Sequence, residues 1–234
     1  MRNEGILPVC KPAAKTSFHL VALLRKLTQI RTIGHAGTLD PFATGVMVLL
    51  IGKPFTKLSA LFLHQDKEYE AVVHLGVTTD TYDLDGQVVE TSGFVPTLAE
   101  VEYTLEKFQG TILQTPPMFS AKKIQGKKLY ELARKGITIE RESVPVTLRI
   151  ELLNYAYPRL SLKIQCSKGT YIRSLAYDIG KALGCGAHLS QLVRTRSGSI
   201  TLNECCDGAQ LIEPGYDWCK FLLSSMPHAL IYKP

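Results

Sequence analysis

Two runs of alternating polar and apolar residues, Val144 to Tyr155 and Leu160 to Cys166, flank Pro158-Arg159 and constrain the chain more than any other feature. A period of two puts every second side chain on one face, so each run reads as a half-buried strand, and the short turn between them makes the pair antiparallel. Shorter strand signals lie at Gly5 to Val9, Val46 to Ile51, Glu68 to Leu75, Gln87 to Glu90 and Gly110 to Leu113. Helical spacing predicts a helix capped by Thr16 or Ser17 with a stripe of Phe18, Val21, Leu24 and Leu27, and further helices at Thr56 to Leu63 and Leu98 to Phe108. A last helix carries Ile172, Leu175, Ala176, Ile179 and Leu183 and ends at Gly184. Strands and helices mix without a βαβ rhythm, so the expected class is α+β, with a mixed, largely antiparallel central sheet flanked by helices. At 234 residues, 45% apolar and 21% charged, the chain has enough apolar material for such a core, and no repeat or Gly/Ser-rich linker divides it.

Charge is distributed unevenly. Residues 1–65 carry a net +6, residues 66–106 a net −9, residues 107–196 a net +11 and the remainder −2. A modest total of +6 therefore hides a basic stretch of a kind that suits a polyanionic partner. The six cysteines include no C-x-x-C pair, which argues against a zinc knuckle or redox centre. The N-terminus lacks an apolar stretch behind its charges, and Val46 to Ile51 is too short to cross a bilayer. A reduced, cytoplasmic protein without membrane association is expected.

The densest chemical signal is Gly34-His-Ala-Gly-Thr-Leu-Asp-Pro-Phe-Ala-Thr-Gly45. Its glycines allow close approach of a ligand. Asp40 is the only acid between Glu4 and Asp66, so nearby cations would keep it ionised as a nucleophile or base. The blander role for Asp40 is a helix cap with Pro41 at the first helical position. Asp80 to Gly86 suggests a calcium loop, but aligning Gly86 with the sixth EF-hand position puts Ser92 where Glu is needed, so a polar turn is expected. In Cys166-Ser-Lys-Gly-Thr-Tyr-Ile-Arg-Ser, Thr170 is the expected helix cap, with Lys168 and Arg173 drawing an anion to the helix start. Arg173 is then a partner for Asp40, and Tyr171 and Tyr69 are candidates to stack on a ring. From Pro117 to Glu142, Phe119 and Tyr130 interleave with Lys122, Lys123, Lys127 and Lys128, as in loops that grip an RNA backbone.

Together these residues resemble the bacterial tRNA pseudouridine synthase B (TruB) family, from Lys11-Pro12 to about Arg196. The resemblance is carried by the G-H-A-G-T-L-D-P-x-A-T-G loop, Asp66-Lys-x-Tyr69, Thr79-Asp-Thr-x-Asp-x-Asp-Gly86, Ser120-Ala-x-Lys-x-x-Gly-x-x-x-Tyr130 and Ser167-Lys-Gly-Thr-Tyr-Ile-Arg173. Ala14 and Val193 depart from the family's usual glycine and basic residue.

The resemblance implies the pseudouridine synthase fold, with a catalytic domain over 1–198 containing a basic RNA-gripping insertion at about 117–142. Residues 199–234 then form a short extension too small for a full PUA domain. It implies conversion of uridine 55 in the tRNA T arm to pseudouridine by Asp40, paired with Arg173, with Tyr69 packed on the target base. It also implies that His35, Tyr171, Leu192 and Lys11 bind substrate, that Lys122, Lys123, Lys127 and Lys128 grip RNA, and that no cofactor or metal takes part. A monomer without protein partners is expected. Two rivals explain part of the pattern: a non-catalytic tRNA-binding or folding protein of the same shape, and a small-molecule enzyme with a phosphate-binding loop.

Overall fold

The structure, a computed structural model, describes residues 4–120, 122–124 and 126–225. The polypeptide forms two units: residues 1–70 with 192–234, and residues 71–191. The expected boundary at residue 198 falls inside the first unit, where the Gly198 amide donates to Asp66 O at 2.9 Å.

The first unit opens with β1 (Gly5–Lys11), α1 (Ser17–Thr28), β2 (Ile33–Ala36) and β3 (Thr44–Ile51). It continues through α2 (Lys53–Thr56), α3 (Ser59–Leu63) and the first part of β4 (Lys67–Leu75). β3 runs antiparallel to β1, from Gly5 opposite Ile51 to Lys11 opposite Gly45, and antiparallel to β2. Almost every residue of β3 is buried, which is why the sequence there is a continuous aliphatic run without alternation. Thr16 caps α1 by accepting from the His19 amide at 3.1 Å. The buried stripe of α1 is Ser17, Leu20, Val21 and Leu24; the expected stripe members Phe18 and Leu27 are exposed, and Phe18 lies under the Arg25 guanidinium. In place of the single helix expected at Thr56 to Leu63 there are two short ones: α2 begins at Lys53 with Pro54 in its first turn, and a turn at Lys57 and Leu58 separates it from α3.

The second unit holds the rest of β4, β5 (Val77–Thr79), β6 (Val88–Thr91), α4 (Leu98–Glu106) and β7 (Gly110–Gln114). The insertion follows as β8 (Lys123–Ile124), β9 (Lys127–Lys128) and α5 (Leu129–Ala133), then β10 (Val144–Ala156), β11 (Arg159–Cys166) and α6 (Ile172–Leu183). The anticipated hairpin is present: β10 and β11 pair antiparallel around Tyr157-Pro158, and β7 pairs antiparallel with β10. All five expected stripe residues of α6 are buried, and Gly184 ends the helix in the left-handed conformation.

β12 (Ala187–Ser197) passes from the second unit back to the first. It pairs in parallel with β3 through Val193–Thr44 and Arg194–Gly45, then antiparallel with β13 (Ile200–Thr201). β14 (Cys206–Asp207) adds in parallel to β1. The mixed, largely antiparallel sheet with flanking helices is therefore observed. Among the described residues no helix is long and apolar enough to cross a membrane.

Candidate active site

The glycine-rich loop joins β2 to β3, and three buried side chains of the first unit fix it. Ser17 ties down the residue before Asp40: its Oγ donates to Leu39 O at 3.1 Å and accepts from Leu39 N at 2.9 Å. Lys11 holds the residue after it, since Nζ donates to Pro41 O at 3.0 Å and also to Pro12 O at 2.8 Å and Lys15 O at 2.6 Å. Arg194 closes the two ends, with Nε donating to Val46 O at 2.5 Å and Nη2 to Gly37 O at 3.1 Å. Asp40 is thus bracketed, and its partly exposed position on irregular backbone leaves it in no helix to cap; Ala43 N donates to Asp40 O at 3.2 Å as the chain turns into β3.

Gly45 is required by this packing. Its φ is +102°, and a Cβ there would lie 2.3 Å from the Arg194 carbonyl oxygen, closer than atoms can approach. The close β3–β12 approach is what delivers Arg194 to the loop.

The same cations set the loop's electrostatics. Burial pushes the Lys11 ammonium down to about 8, with the Asp40 charge acting in the opposite sense. Burial, and then the Arg194 charge, lower the pKa of His35, favouring its neutral imidazole; its Nδ1 is buried without a hydrogen-bond partner. Lys11 is completely buried and its ammonium donates to three carbonyls, so it holds the loop from beneath. Tyr69 is buried in β4, on the same face as Lys67. Lys67 Nζ donates to the carbonyls of Phe62, Leu63 and Gln65, joining the end of α3 to β4. Leu192 is buried in β12, two residues before Arg194.

In the second unit Arg173, buried in the first turn of α6, has its guanidinium held on three sides. Nε lies 3.5 Å from Asp83 Oδ2, Nη1 donates to Thr81 O at 3.1 Å, and Nη2 donates to Phe119 O at 2.8 Å. Asp83 is itself fixed, accepting at Oδ1 from Thr81 Oγ1 at 2.6 Å and from Asp85 N at 3.1 Å. The segment expected to be a plain polar turn is therefore the seat of the buried arginine. A buried charge deprived of its partner costs about 3–5 kcal/mol, so this carboxylate is a strong structural requirement.

Thr170 does not cap α6; its hydroxyl donates back to Ser167 O at 2.9 Å, and Tyr171 occupies the cap position without a side-chain cap bond. Buried Gln114 takes over, with Oε1 accepting from Tyr171 N at 2.8 Å and Nε2 donating to Tyr171 O at 3.0 Å. This fixes the backbone from which the half-buried Tyr171 ring projects.

Within the insertion, β8 and β9 form a hairpin with Lys123 opposite Lys128. Leu129 N donates to Lys122 O and Tyr130 N to Ser120 O, which folds the start of α5 back onto the irregular backbone that precedes β8. Lys122 is half-buried and Lys127 exposed; the side chains of Lys123 and Lys128 lie outside the described residues.

Sequence reasoning missed Ser17 and Arg194, which hold the Asp40 loop in the first unit, and Asp83 and Gln114, which hold Arg173 and the Tyr171 backbone in the second. One signal for Arg194 was available, since it follows Leu192 at a spacing of two and so shares its buried face.

Two family models match the chain: the TruB family pseudouridylate synthase N-terminal domain over residues 25–172, and the tRNA pseudouridylate synthase B C-terminal domain over residues 173–219. A tRNA pseudouridine synthase B from Chlamydia trachomatis serovar L2 is 55% identical over 231 residues, covering 99% of this chain and 95% of that protein. The protein of the same name from Protochlamydia amoebophila is 60% identical over 208 residues, covering 89% and 79%. Among solved structures, a chain of a Cbf5-Nop10-Gar1 complex aligns with a TM-score of 0.72 at 28% identity, over 95% of this chain and 61% of that one. A chain of an H/ACA RNP bound to a substrate RNA containing 2'-deoxyuridine aligns at 0.68 with 27% identity, over 94% and 56%. This chain therefore spans under two thirds of the length of either solved chain.

Proposed function

The chain belongs to the TruB family of pseudouridylate synthases and is a tRNA pseudouridine synthase; from that premise we propose that it converts uridine 55 of the tRNA T arm, with Asp40 as the catalytic nucleophile or base. The observation that supports the catalytic role of Asp40 is the fastening of its loop at Leu39, Pro41, Gly37 and Val46 by three buried side chains. A carboxylate held this firmly is suited to chemistry in which the reacting atoms must be aligned before reaction.

The reaction breaks the bond between uracil N1 and the ribose C1′, turns the base and joins C5 to C1′. An ionised carboxylate serves it by adding to the sugar at C1′, adding to the base at C6, or taking the 2′ proton. Arg173 is proposed as the cation that pairs with Asp40 when the site is assembled, and Tyr69 as the ring that packs on the base. His35, Tyr171 and Leu192 are proposed to contact the nucleotide once it leaves its stack, at a cost of a few kcal/mol that binding must offset. Lys122, Lys123, Lys127 and Lys128 are proposed to grip the T-arm backbone. For Lys11 the structure favours a positioning role over a substrate contact, because its ammonium donates to three carbonyls.

The test is nucleotide-resolution mapping of pseudouridine after incubation with unmodified tRNA and with an isolated T-arm stem-loop. Modification confined to position 55 in both supports the proposal. Modification elsewhere, or none in the stem-loop, overturns the T-arm assignment.

A further inference from the structure

Tyr82 has φ +63°, a left-handed conformation that an L-residue with a large side chain adopts at a steric cost. Glycine or asparagine would take the same backbone more readily. The strain falls between the two residues that hold Arg173: Thr81, whose carbonyl accepts from Nη1, and Asp83, whose carboxylate faces Nε. Inverting the backbone at the middle residue lets its two neighbours address one guanidinium.

The aromatic side chain has a partner as well. The Tyr82 ring stacks on Tyr177, with centroids 4.1 Å apart and planes at 21°. Tyr177 lies four residues after Arg173 in α6, one helical turn further along the same side. Consecutive residues of one tight turn thus grip consecutive turns of one helix. Tyr82 O also accepts from Leu189 N at 2.9 Å, and Thr79 Oγ1 donates to Asp83 O at 2.7 Å; these bonds tie the turn to β12 and β5, and neither reaches α6.

We infer that the Tyr82–Tyr177 stack is a positioning device for Arg173, setting the angle of its guanidinium by locking the 81–83 turn to the second turn of α6. The inference rests on the proposed place of Arg173 at the reacting uridine. Tyr82 and Tyr177 act through Arg173 and touch no substrate.

The experiment measures single-turnover isomerisation and tRNA Kd for Tyr82→Gly, Tyr82→Asn, Tyr82→Phe and Tyr177→Leu, alone and combined with Arg173→Lys. Glycine and asparagine keep the turn's backbone accessible while removing the stack; phenylalanine keeps the stack. A misaligned group costs about tenfold to a hundredfold in rate. The expected result is about a tenfold loss of rate in each unstacked variant, Kd within about twofold of wild type, wild-type behaviour for Tyr82→Phe, and no further loss in the Arg173→Lys background. A crippled Arg173→Lys beside wild-type rates for Tyr82→Gly, Tyr82→Asn and Tyr177→Leu overturns the positioning role and leaves Arg173 in place. Losses that multiply across the two backgrounds overturn it as well, because the stack would then act apart from Arg173. A wild-type rate for Arg173→Lys overturns the reading of Arg173 itself.

Discussion

The hydroxyl of Ser17 is bonded to both backbone groups of Leu39, accepting from its amide at 2.9 Å and donating to its carbonyl at 3.1 Å. The first helical residue of α1 therefore sets the height of the peptide leading into Asp40, and both bonds are buried. Ser17→Ala leaves two polar backbone groups without a partner, and the expected destabilisation is about 2 kcal/mol in urea unfolding. The single-turnover rate should fall about tenfold through misplacement of Asp40, while tRNA Kd stays near the wild-type value.

Ala14 has φ +59°, a left-handed conformation, in the segment between β1 and α1 whose carbonyls Lys11 binds. Ala14→Gly removes the clash of Cβ with the backbone, partly offset by the freedom glycine gains in the unfolded chain. The variant should be more stable by about 0.5–1 kcal/mol, read as a higher urea midpoint at unchanged slope.

Asp178, half-buried in α6, has its carboxyl raised to about 6 by burial, with Lys181 opposing the shift. Below about pH 4 it is protonated whether the chain is folded or not. Between about 4 and 6 the folded state retains the proton that the unfolded state has lost, so raising the pH through this window lowers stability. Above 6 both states are ionised and the whole penalty stands. Allowing for solvent screening of a half-buried group, Asp178→Asn should stabilise the protein by about 1 kcal/mol at pH 7. The gain should vanish at about pH 4 in thermal unfolding across that range.

The four insertion lysines should contribute through released counterions. Replacing Lys122, Lys123, Lys127 and Lys128 with glutamine should reduce the slope of log Kd against log salt by roughly 0.7–0.9 for each phosphate that these lysines neutralise. Filter binding across a salt series reads this directly; an unchanged slope places the RNA elsewhere.

Much of the architecture was legible because its signals are local. The β10–β11 hairpin shows in alternation around one proline, and all five stripe residues of α6 are buried as their spacing requires. β12 was not legible: its apolar alternation breaks between Leu189 and Leu192, and its buried face then continues through Arg194 and Ser197. A buried arginine reads as a surface residue until the carbonyls that receive it, Val46 O and Gly37 O, are seen to come from distant positions in the chain. Asp83 was hidden similarly. One aspartate among several in a turn has no sequence mark to show that it faces an arginine ninety residues on. The Gly34–Gly45 loop was visible as a candidate site from its glycines and lone acid, whereas the side chains that hold it depend on tertiary packing.

Whether the Asp40 carboxylate performs the isomerisation is tested most directly by tritium release from tRNA carrying C5-tritiated uridine, with excess Asp40→Asn enzyme and tRNA Kd measured on the same preparation. The expected result is no release above background and a Kd within a few-fold of wild type. Sustained release by Asp40→Asn at a rate near that of wild type would contradict the role of Asp40.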